Sequence, residues 1–431
     1  MTLRLDDARM HASAVPSGVT PAEWNELAIR FGDVHAAVAK DRAAGRLGFL
    51  DLEAQAAETA RVAEYAVRTR RAFSDVAVLG IGGSALGAIA LRTALGNARE
   101  APRLHVLDNV DPHGLAALLH RVPLATTCWI VVSKSGATVE TLAQYAIVRD
   151  RIVAAGLAPA RHLVVVTDPG AGPLRAIAVR DDIPAFDVPA NVGGRFSVLT
   201  PVGTLPARLA GYDVAGLLAG AREARDRCAT ATLGDNPAGM FATLLWRAHQ
   251  RAGQSTHVLM PYSDRLRDIG PWFVQLWAES LGKLDADGLP TGPTPLAARG
   301  ATDQHSLLQL LMQGPADKVV AFVRVATPDV DLTIPADGDV PDAAAFLRGR
   351  TLGELLDAEA DATARALTSA GRPSLTITVD AVNARAVGAL MMVLMIATVY
   401  AGVLYRVDPL GQPGVELGKR FARERLEGGG A

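Results

Sequence analysis

Short apolar runs and amphipathic stretches alternate along most of the chain. From about residue 71 onwards, mostly apolar runs of four or five residues are separated by segments whose apolar positions recur with helical spacing. Strands separated by helices indicate right-handed crossovers and a parallel sheet. The predicted strands of this first series are residues 76–79, 104–107, 128–132, 163–166 and 185–188, with helices at 85–95 and 138–153 between them.

A second series of the same kind begins after a predicted helical connector at residues 214–227. Its strands are 257–260, 319–325 and 375–379, and its helices are 270–282, 304–313 and 351–368. The pattern predicts an α/β chain of two doubly wound, flavodoxin-like parallel-sheet domains with helical N- and C-terminal additions. The predicted boundaries are a helical segment at 1–70, a first domain at 71–212, a connector at 213–235, a second domain at 236–407 and a C-terminal segment at 408–431, which has a Gly/Pro turn and a charged helix.

One stretch, residues 387–405, carries no charge and is long enough to cross a membrane at about 1.5 Å per residue. The alternative is a helix that is buried on all sides inside a large α/β domain. Because nothing else in the chain has a membranous pattern, we expect a core helix and no membrane partner.

Composition narrows the classes of function. The chain has 431 residues, of which 49% are hydrophobic and 20% are charged, which is enough for two cores. The net charge is −2 and no basic run is interleaved with aromatics, so a nucleic-acid partner is not expected. Cys128 and Cys228 have no metal-ligand spacing, and Cys128 is expected to be a buried thiol. The mixed, polar opening is unlike a signal peptide and favours the cytoplasm.

The first candidate site is a glycine-rich turn between a predicted strand and a predicted helix, at residues 79–87. Backbone N–H groups at a helix start favour an anion, and glycines such as Gly83 let it approach closely, beside Ser84. The same letters fit a dinucleotide fingerprint, with Asp108 after the next strand as the acidic partner of a ribose. This turn alone does not decide between the two ligands.

The second candidate site follows the third predicted strand and contains three hydroxyls, from Ser133, Ser135 and Thr138, together with Lys134. Hydroxyls, amides and a helix dipole make a cradle for a phosphomonoester that needs no nucleotide. An ordinary helix cap is the alternative, but a cap needs only one hydroxyl. Both turns lie at carboxyl ends of strands, where open α/β sheets bind ligands.

Six blocks in the same order, taken together, resemble the glucose-6-phosphate isomerase family and its sugar-isomerase fold. The blocks are residues 79–87, 132–141, 191–197, 268–283, 300–305 and 411–419. The resemblance implies interconversion of glucose 6-phosphate and fructose 6-phosphate through an enediol, with a phosphosugar substrate, no cofactor and no metal. The substrate-binding residues that it implies are Gly83, Ser84, Ser133, Lys134, Ser135, Thr138, Glu140 and Gln412.

Glu279 is the implied catalytic base. Its predicted helix also carries Trp272, Phe273 and Trp277, and such an apolar setting raises the pKa of a carboxyl group. The alternative is a solvated glutamate that pairs with Lys283 at i, i+4. By the same resemblance, Arg195 stabilises the enediolate, a contribution typically worth a few kcal/mol.

Two further catalytic residues are implied on the side of ring opening. His305 is predicted to open a helix, and histidine passes protons in both directions near neutral pH. The resemblance implies that His305 reaches the partner's site in a homodimer and that Lys419 assists at the ring oxygen. The chain departs from the family at Ala137, where relatives often have threonine, and at Pro413, where many have an aromatic residue.

Two other functions start from the same turns. A phosphosugar-sensing regulator on this fold would keep the phosphate loops and lack the carboxylate, the histidine and the lysine, all of which are present here. An NAD-dependent dehydrogenase would use the glycine turn, but the sequence shows no second sign of one. The isomerase is therefore the favoured prediction.

Overall fold

The computed structural model describes residues 3–96, 102–170 and 172–428. Within these ranges the strands are β1 (Leu3–Asp6), β2 (Asp75–Leu79), β3 (Arg103–Leu107), β4 (Thr127–Val132), β5 (Leu163–Thr167), β6 (Ala185–Asp187), β7 (Thr256–Pro261), β8 (Lys283–Leu284), β9 (Pro290–Thr291), β10 (Thr294–Ala297), β11 (Lys318–Val325) and β12 (Ser374–Val379). The α-helices are α1 (Pro21–Ala43), α2 (Ala56–Thr69), α3 (Leu86–Leu95), α4 (Pro112–Arg121), α5 (Val139–Ala154), α6 (Pro159–His162), α7 (Pro173–Arg180), α8 (Pro201–Ala210), α9 (Val214–Arg227), α10 (Pro237–Ala252), α11 (Ile269–Leu281), α12 (Leu308–Gln313), α13 (Leu352–Ser369), α14 (Ala384–Leu404) and α15 (Glu416–Leu426).

The first sheet is parallel and has the strand order β3-β2-β4-β5-β6. Counted along the chain this is the doubly wound order 2-1-3-4-5, in which the connections leave on opposite sides of the first strand. The carboxyl ends of β2 and β4 flank the switch point, so the turns that follow them border one crevice. The predicted fold class is confirmed for this half of the chain.

The second sheet has the order β1-β12-β11-β7-β10. Its strands β12, β11, β7 and β10 are parallel to one another. β1 pairs antiparallel with β12, with Leu3 opposite Val379. The N-terminal segment is helical over α1 and α2, as predicted, and it also contributes an edge strand to the second sheet, which the sequence did not predict. The predicted domain boundaries remain a prediction.

Three apolar layers hold the two sheets. Alternate residues of β4 face opposite sides: Ile130 packs in the layer between the sheets, and Trp129 packs under α4, α5 and α7. In the second sheet Phe322 packs under α12 and α13, and Val323 faces the middle layer. The middle layer is thus continuous from one sheet to the other. Strands that are buried on both faces explain the near-continuous apolar runs in the sequence.

Helix α14 is the centre of the middle layer. It has a mean hydropathy of 2.3 over its most apolar window, and 94% of that window is buried inside the protein. Its neighbours are α9, α10, α11 and α1. The uncharged stretch is therefore a core helix, as predicted. Cys128 and Cys228 are buried free thiols, and burial raises the pKa of each to about 12.

The predicted helix 304–313 is split. Thr302–His305 form a 3₁₀ turn, and α12 begins only at Leu308. The Asp303 carboxylate accepts hydrogen bonds from Arg299 N (2.6 Å) and Ser306 Oγ (2.6 Å). Such local bonds compete with helix continuation. His305 thus ends a 3₁₀ turn instead of opening a helix.

Close helix packing makes Gly388 in α14 a sensitive position. A methyl group there would lie 1.9 Å from the Leu217 carbonyl oxygen of α9. We predict that Gly388→Ala lowers the free energy of unfolding by about 1–3 kcal/mol or more, because backbone must move to admit the methyl group. Gly32 in α1 is the matched control, since a methyl group there meets no atom within 4 Å. Gly32→Ala should stabilise by about 0.5–1 kcal/mol. Denaturant unfolding measures both, and equal stabilities would contradict the packing argument.

Candidate active site

The glycine turn and the hydroxyl-rich turn lie side by side, because they follow the adjacent strands β2 and β4. Gly82–Ser84 form a 3₁₀ turn that leads into α3. Gly82 has φ +55°, a left-handed conformation that favours glycine. The glycine is therefore required by the shape of the turn as well as by access for a ligand.

The hydroxyls of the second turn are not used to cap α5. Thr138 is the N-cap residue, yet its side chain makes no capping bond and instead lies 2.8 Å from Ser133 Oγ. Ser135 Oγ accepts from Ala137 N at 3.3 Å. The N–H groups of the first turn of α5 consequently remain available to an anion. This arrangement favours a phosphate cradle over an ordinary helix cap.

Lys134 ties this turn to the loop that carries Arg195. Its ammonium donates to the Ala190 carbonyl oxygen at 2.9 Å. Burial lowers the pKa of Lys134, and Asp168 opposes that effect. The side chain is half-buried at the crevice, so its positive charge adds to the attraction for an anion.

Arg195 is the most fully bound side chain of the site. It lies in the 3₁₀ segment Gly194–Leu199 and its side chain is 1% exposed. Burial lowers the pKa of Arg195, while Glu279 and Asp408 raise it. Its guanidinium donates to Ser280 Oγ (2.7 Å), Gln412 Oε1 (3.1 Å), the Gly411 carbonyl oxygen (2.9 Å) and the Pro409 carbonyl oxygen.

Glu279 lies on the side of α11 that faces Arg195. Its Oε1 is 3.5 Å from Arg195 Nη1, and its Oε2 accepts from Gln275 Nε2 at 3.1 Å. Phe273 and Trp277 are buried on the side of α11 away from Glu279, and Trp272 is buried about two turns before it. In place of the expected apolar surroundings, the carboxylate therefore has a cation and an amide beside it.

Gln275, one helical turn before Glu279, is a site residue that our sequence analysis missed. Its side-chain nitrogen is 3.0 Å from the position of a Cβ on Gly82, so it bridges the glycine turn and the carboxylate. Its Oε1 is buried without a hydrogen-bond partner in the described structure. A substrate hydroxyl would satisfy this oxygen. The i, i+4 spacing from Glu279 was the available signal.

The turn at residues 408–411, which precedes the C-terminal helix, lies against Arg195. Besides Arg195, it is bound by Lys283, which donates to the carbonyl oxygens of Gly411 (2.6 Å) and Asp408. The ion pair between Glu279 and Lys283, the alternative in our sequence analysis, does not form, since Glu279 faces Arg195 instead.

Of the remaining predicted residues, one lies beside the phosphate cradle and two lie apart from the site. Glu140 lies in the first turn of α5, beside the phosphate cradle. His305 is exposed at the end of its 3₁₀ turn, and Lys419 is exposed on α15, where it pairs with Glu416 at 2.8 Å. In the described residues neither His305 nor Lys419 hydrogen-bonds to Glu279 or Arg195. No cluster of three His, Cys, Asp or Glu residues suited to a metal ion occurs in the described ranges.

The site now has a cradle for a phosphate, a carboxylate beside a buried cation, and a carbonyl-lined turn over them. A model of the family "Phosphoglucose isomerase" matches residues 43–428. The chain belongs to the phosphoglucose isomerase family. This result confirms the resemblance found in the sequence and decides against the dehydrogenase interpretation of the glycine turn.

Relatives of this family cover almost the whole chain. A glucose-6-phosphate isomerase of Rubrobacter xylanophilus is 41% identical over 96% of this chain and 95% of its own. The crystal structure of a hypothetical protein from Thermus thermophilus has a TM-score of 0.91 and 40% identity, covering 99% of this chain and 100% of its own. A crystal structure of a glucose-6-phosphate isomerase from Chlamydia trachomatis has a TM-score of 0.77 and 27% identity. The match covers 86% of this chain and 73% of the chain from Chlamydia. The sugar-isomerase fold is thereby confirmed.

Gly83 tests how the glycine turn contacts the Arg195 loop. A methyl group at Gly83 would lie 2.4 Å from the carbonyl carbon of Gly194 and 2.7 Å from Arg195 N. We predict that Gly83→Ala lowers the free energy of unfolding by about 1–3 kcal/mol, because two backbone segments must separate. Gly194→Ala is the control, since its methyl group meets no atom within 4 Å. An unchanged thermal midpoint for Gly83→Ala would refute the contact.

Proposed function

We propose that the crevice at the carboxyl edge of the first sheet binds a hexose phosphate and moves a proton between its first two carbons. As a member of the phosphoglucose isomerase family, the chain is an enzyme that interconverts glucose 6-phosphate and fructose 6-phosphate. The Glu279 carboxylate beside the buried guanidinium of Arg195 is the observation that carries the proposed mechanism.

The phosphoryl group is held by the two turns after β2 and β4. The backbone N–H group of Gly83, the hydroxyl of Ser84, the hydroxyls of the second turn and the start of α5 supply donors, while Lys134 supplies charge. Ala137 contributes no hydroxyl, and its N–H already donates to Ser135 Oγ, so the phosphate has one side-chain donor fewer at that position. Because the phosphate on C6 is held in the crevice, C1 and C2 of the open-chain sugar are placed at a defined distance from it.

Glu279 takes the proton from C2 of the open-chain aldose and returns it to C1. The enediolate oxygen that forms is stabilised by the fixed charge of Arg195, which is already paired and does not need to move. C1 is reduced while C2 is oxidised, so the reaction is balanced within one substrate. The reaction needs no external oxidant or reductant, so we propose that the enzyme uses no nucleotide cofactor and no metal.

Ring opening is assigned to His305 and Lys419, with Gln412 and Glu140 lining the site. The His305 side chain is exposed and hydrogen-bonds to no other described residue, so it is free to reach a second subunit. Exposed apolar side chains of the second half, such as Leu310, Leu332 and Phe346, suit a covering partner. We therefore propose a homodimer in which each His305 serves the other subunit's site, in the cytoplasm.

The role of Glu279 predicts a selective loss. Glu279→Gln keeps the hydrogen-bonding shape but removes the base, so kcat should fall by about 100- to 10,000-fold. Exchange of the C2 proton with solvent should stop, while binding of fructose 6-phosphate changes little. The control is Glu64→Gln, on an exposed face of α2. Normal proton exchange in the Glu279 variant would refute this base.

The shared site predicts complementation between two inactive variants. In a mixed dimer of Glu279→Gln and His305→Ala subunits, one site carries both changes and the other carries neither. A 1:1 mixture that exchanges subunits should therefore recover about a quarter of the wild-type sites. If His305 acts within its own subunit, every site in the mixed dimer carries one of the two substitutions, and no activity returns. A coupled assay after subunit exchange distinguishes these outcomes.

A further inference from the structure

Lys283 is a half-buried lysine directly after α11, in the short strand β8. We propose that Lys283 is a positioning residue for the isomerase reaction: together with Arg195 it clamps the turn at residues 408–411, so that Gln412 and helix α15 face the site. This inference rests on the proposed function, because Gln412 and Lys419 are the groups that the turn would position.

The turn is held by two cations that bind its carbonyl oxygens. Lys283 binds Asp408 O and Gly411 O, and Arg195 binds Pro409 O and Gly411 O. The Gly411 oxygen is shared, at 2.6 Å from Lys283 Nζ and 2.9 Å from Arg195 Nη2. Charge-assisted hydrogen bonds of this kind are about twice as strong as neutral ones. Without Lys283, the Asp408 oxygen loses this donor and the Gly411 oxygen keeps only Arg195.

The turn is the main connection between the site and the C-terminal helix. Gln412 follows it directly and accepts from Arg195 Nη1 at 3.1 Å. Helix α15 buries none of its residues, and its nearest packing neighbour is the preceding 3₁₀ turn Pro413–Val415. The placement of Lys419 on that helix therefore depends on how firmly residues 408–411 are held.

The state of the Lys283 ammonium sets the strength of the clamp. Burial and the charge of Arg195 lower the pKa of Lys283 to about 8, while Asp408 and Glu279 raise it. Arg46 is paired with the Asp408 carboxylate at 3.1 Å from the solvent side. Below about pH 8 the ammonium is charged and the clamp is complete. Above this pH the charge is lost, so the clamp weakens as pH rises.

The test compares the wild type with Lys283→Met and Lys283→Arg. Lys318→Met is the matched control, since Lys318 is another half-buried lysine near a backbone carbonyl but lies outside the site. Lys283→Met should lower kcat at least tenfold and leave competitive inhibition by inorganic phosphate within twofold. Tryptic cleavage at residues 419–425 should become faster in this variant only.

The pH profile separates positioning from a purely structural role. The wild-type kcat should fall above about pH 8, the Lys283→Met profile should be flat there, and Lys283→Arg should recover activity and move the fall to higher pH. Unchanged kcat or unchanged tryptic cleavage in Lys283→Met would overturn the inference. If Lys283→Met does not fold, a Lys283→Arg profile identical to that of the wild type overturns it instead. A wild-type protein without isomerase activity would refute the proposed function. In that case the rates of tryptic cleavage at residues 419–425 in the wild type and Lys283→Met would still test the clamp.

Discussion

A single buried cation, the guanidinium of Arg195, joins the parts of the active site. Burying a charge is costly unless every donor is paired, and here each nitrogen has an oxygen acceptor. The acceptors come from α11 and from the turn at residues 408–411, while the backbone at Arg195 lies against the glycine turn. Segments more than 200 positions apart in sequence are thus held by one side chain. Because the pairing is already complete, the charge is in place before substrate arrives, as the role that we propose for Arg195 requires.

The middle layer provides the rigid support that this cation needs. α14 and α11 pack against each other in the core between the sheets, and the buried face of α11 carries Phe273 and Trp277. The other face of α11 carries Gln275 and Glu279. One helix therefore serves both the core and the site, so the carboxylate is held by packing on the far side. For the base that we propose, a position on a packed helix is more precise than a position on a loop.

The sequence predicted what local patterns determine. The strand at 76–79 and the helix at 214–227 agree with β2 and α9, because period and propensity act over a few residues. β1 was missed because its pairing with β12 joins positions that are 370 or more residues apart, such as Leu3 and Val379, which no local pattern reveals. β10 lies in a Pro-containing segment and is ordered by its pairing with β7 and its packing against α11. In the site, the glycine and hydroxyl turns were visible as motifs. The contacts of Gln275, Ser280 and Lys283 were not, because they depend on which faces meet after folding.

The division of the site into a rigid and an exposed part has a chemical reason. Proton transfer between two carbons needs a base and a charge in fixed geometry, and in the proposed mechanism Glu279 and Arg195 supply them. Ring opening breaks the bond between C1 and the ring oxygen, and it must occur before the open chain settles against the base. Groups on separate elements, such as His305 and Lys419, suit that earlier step because they can approach and withdraw while the phosphate stays bound. The turn at residues 408–411 lies between the two parts, since it contacts the fixed cation and leads directly into the exposed helix.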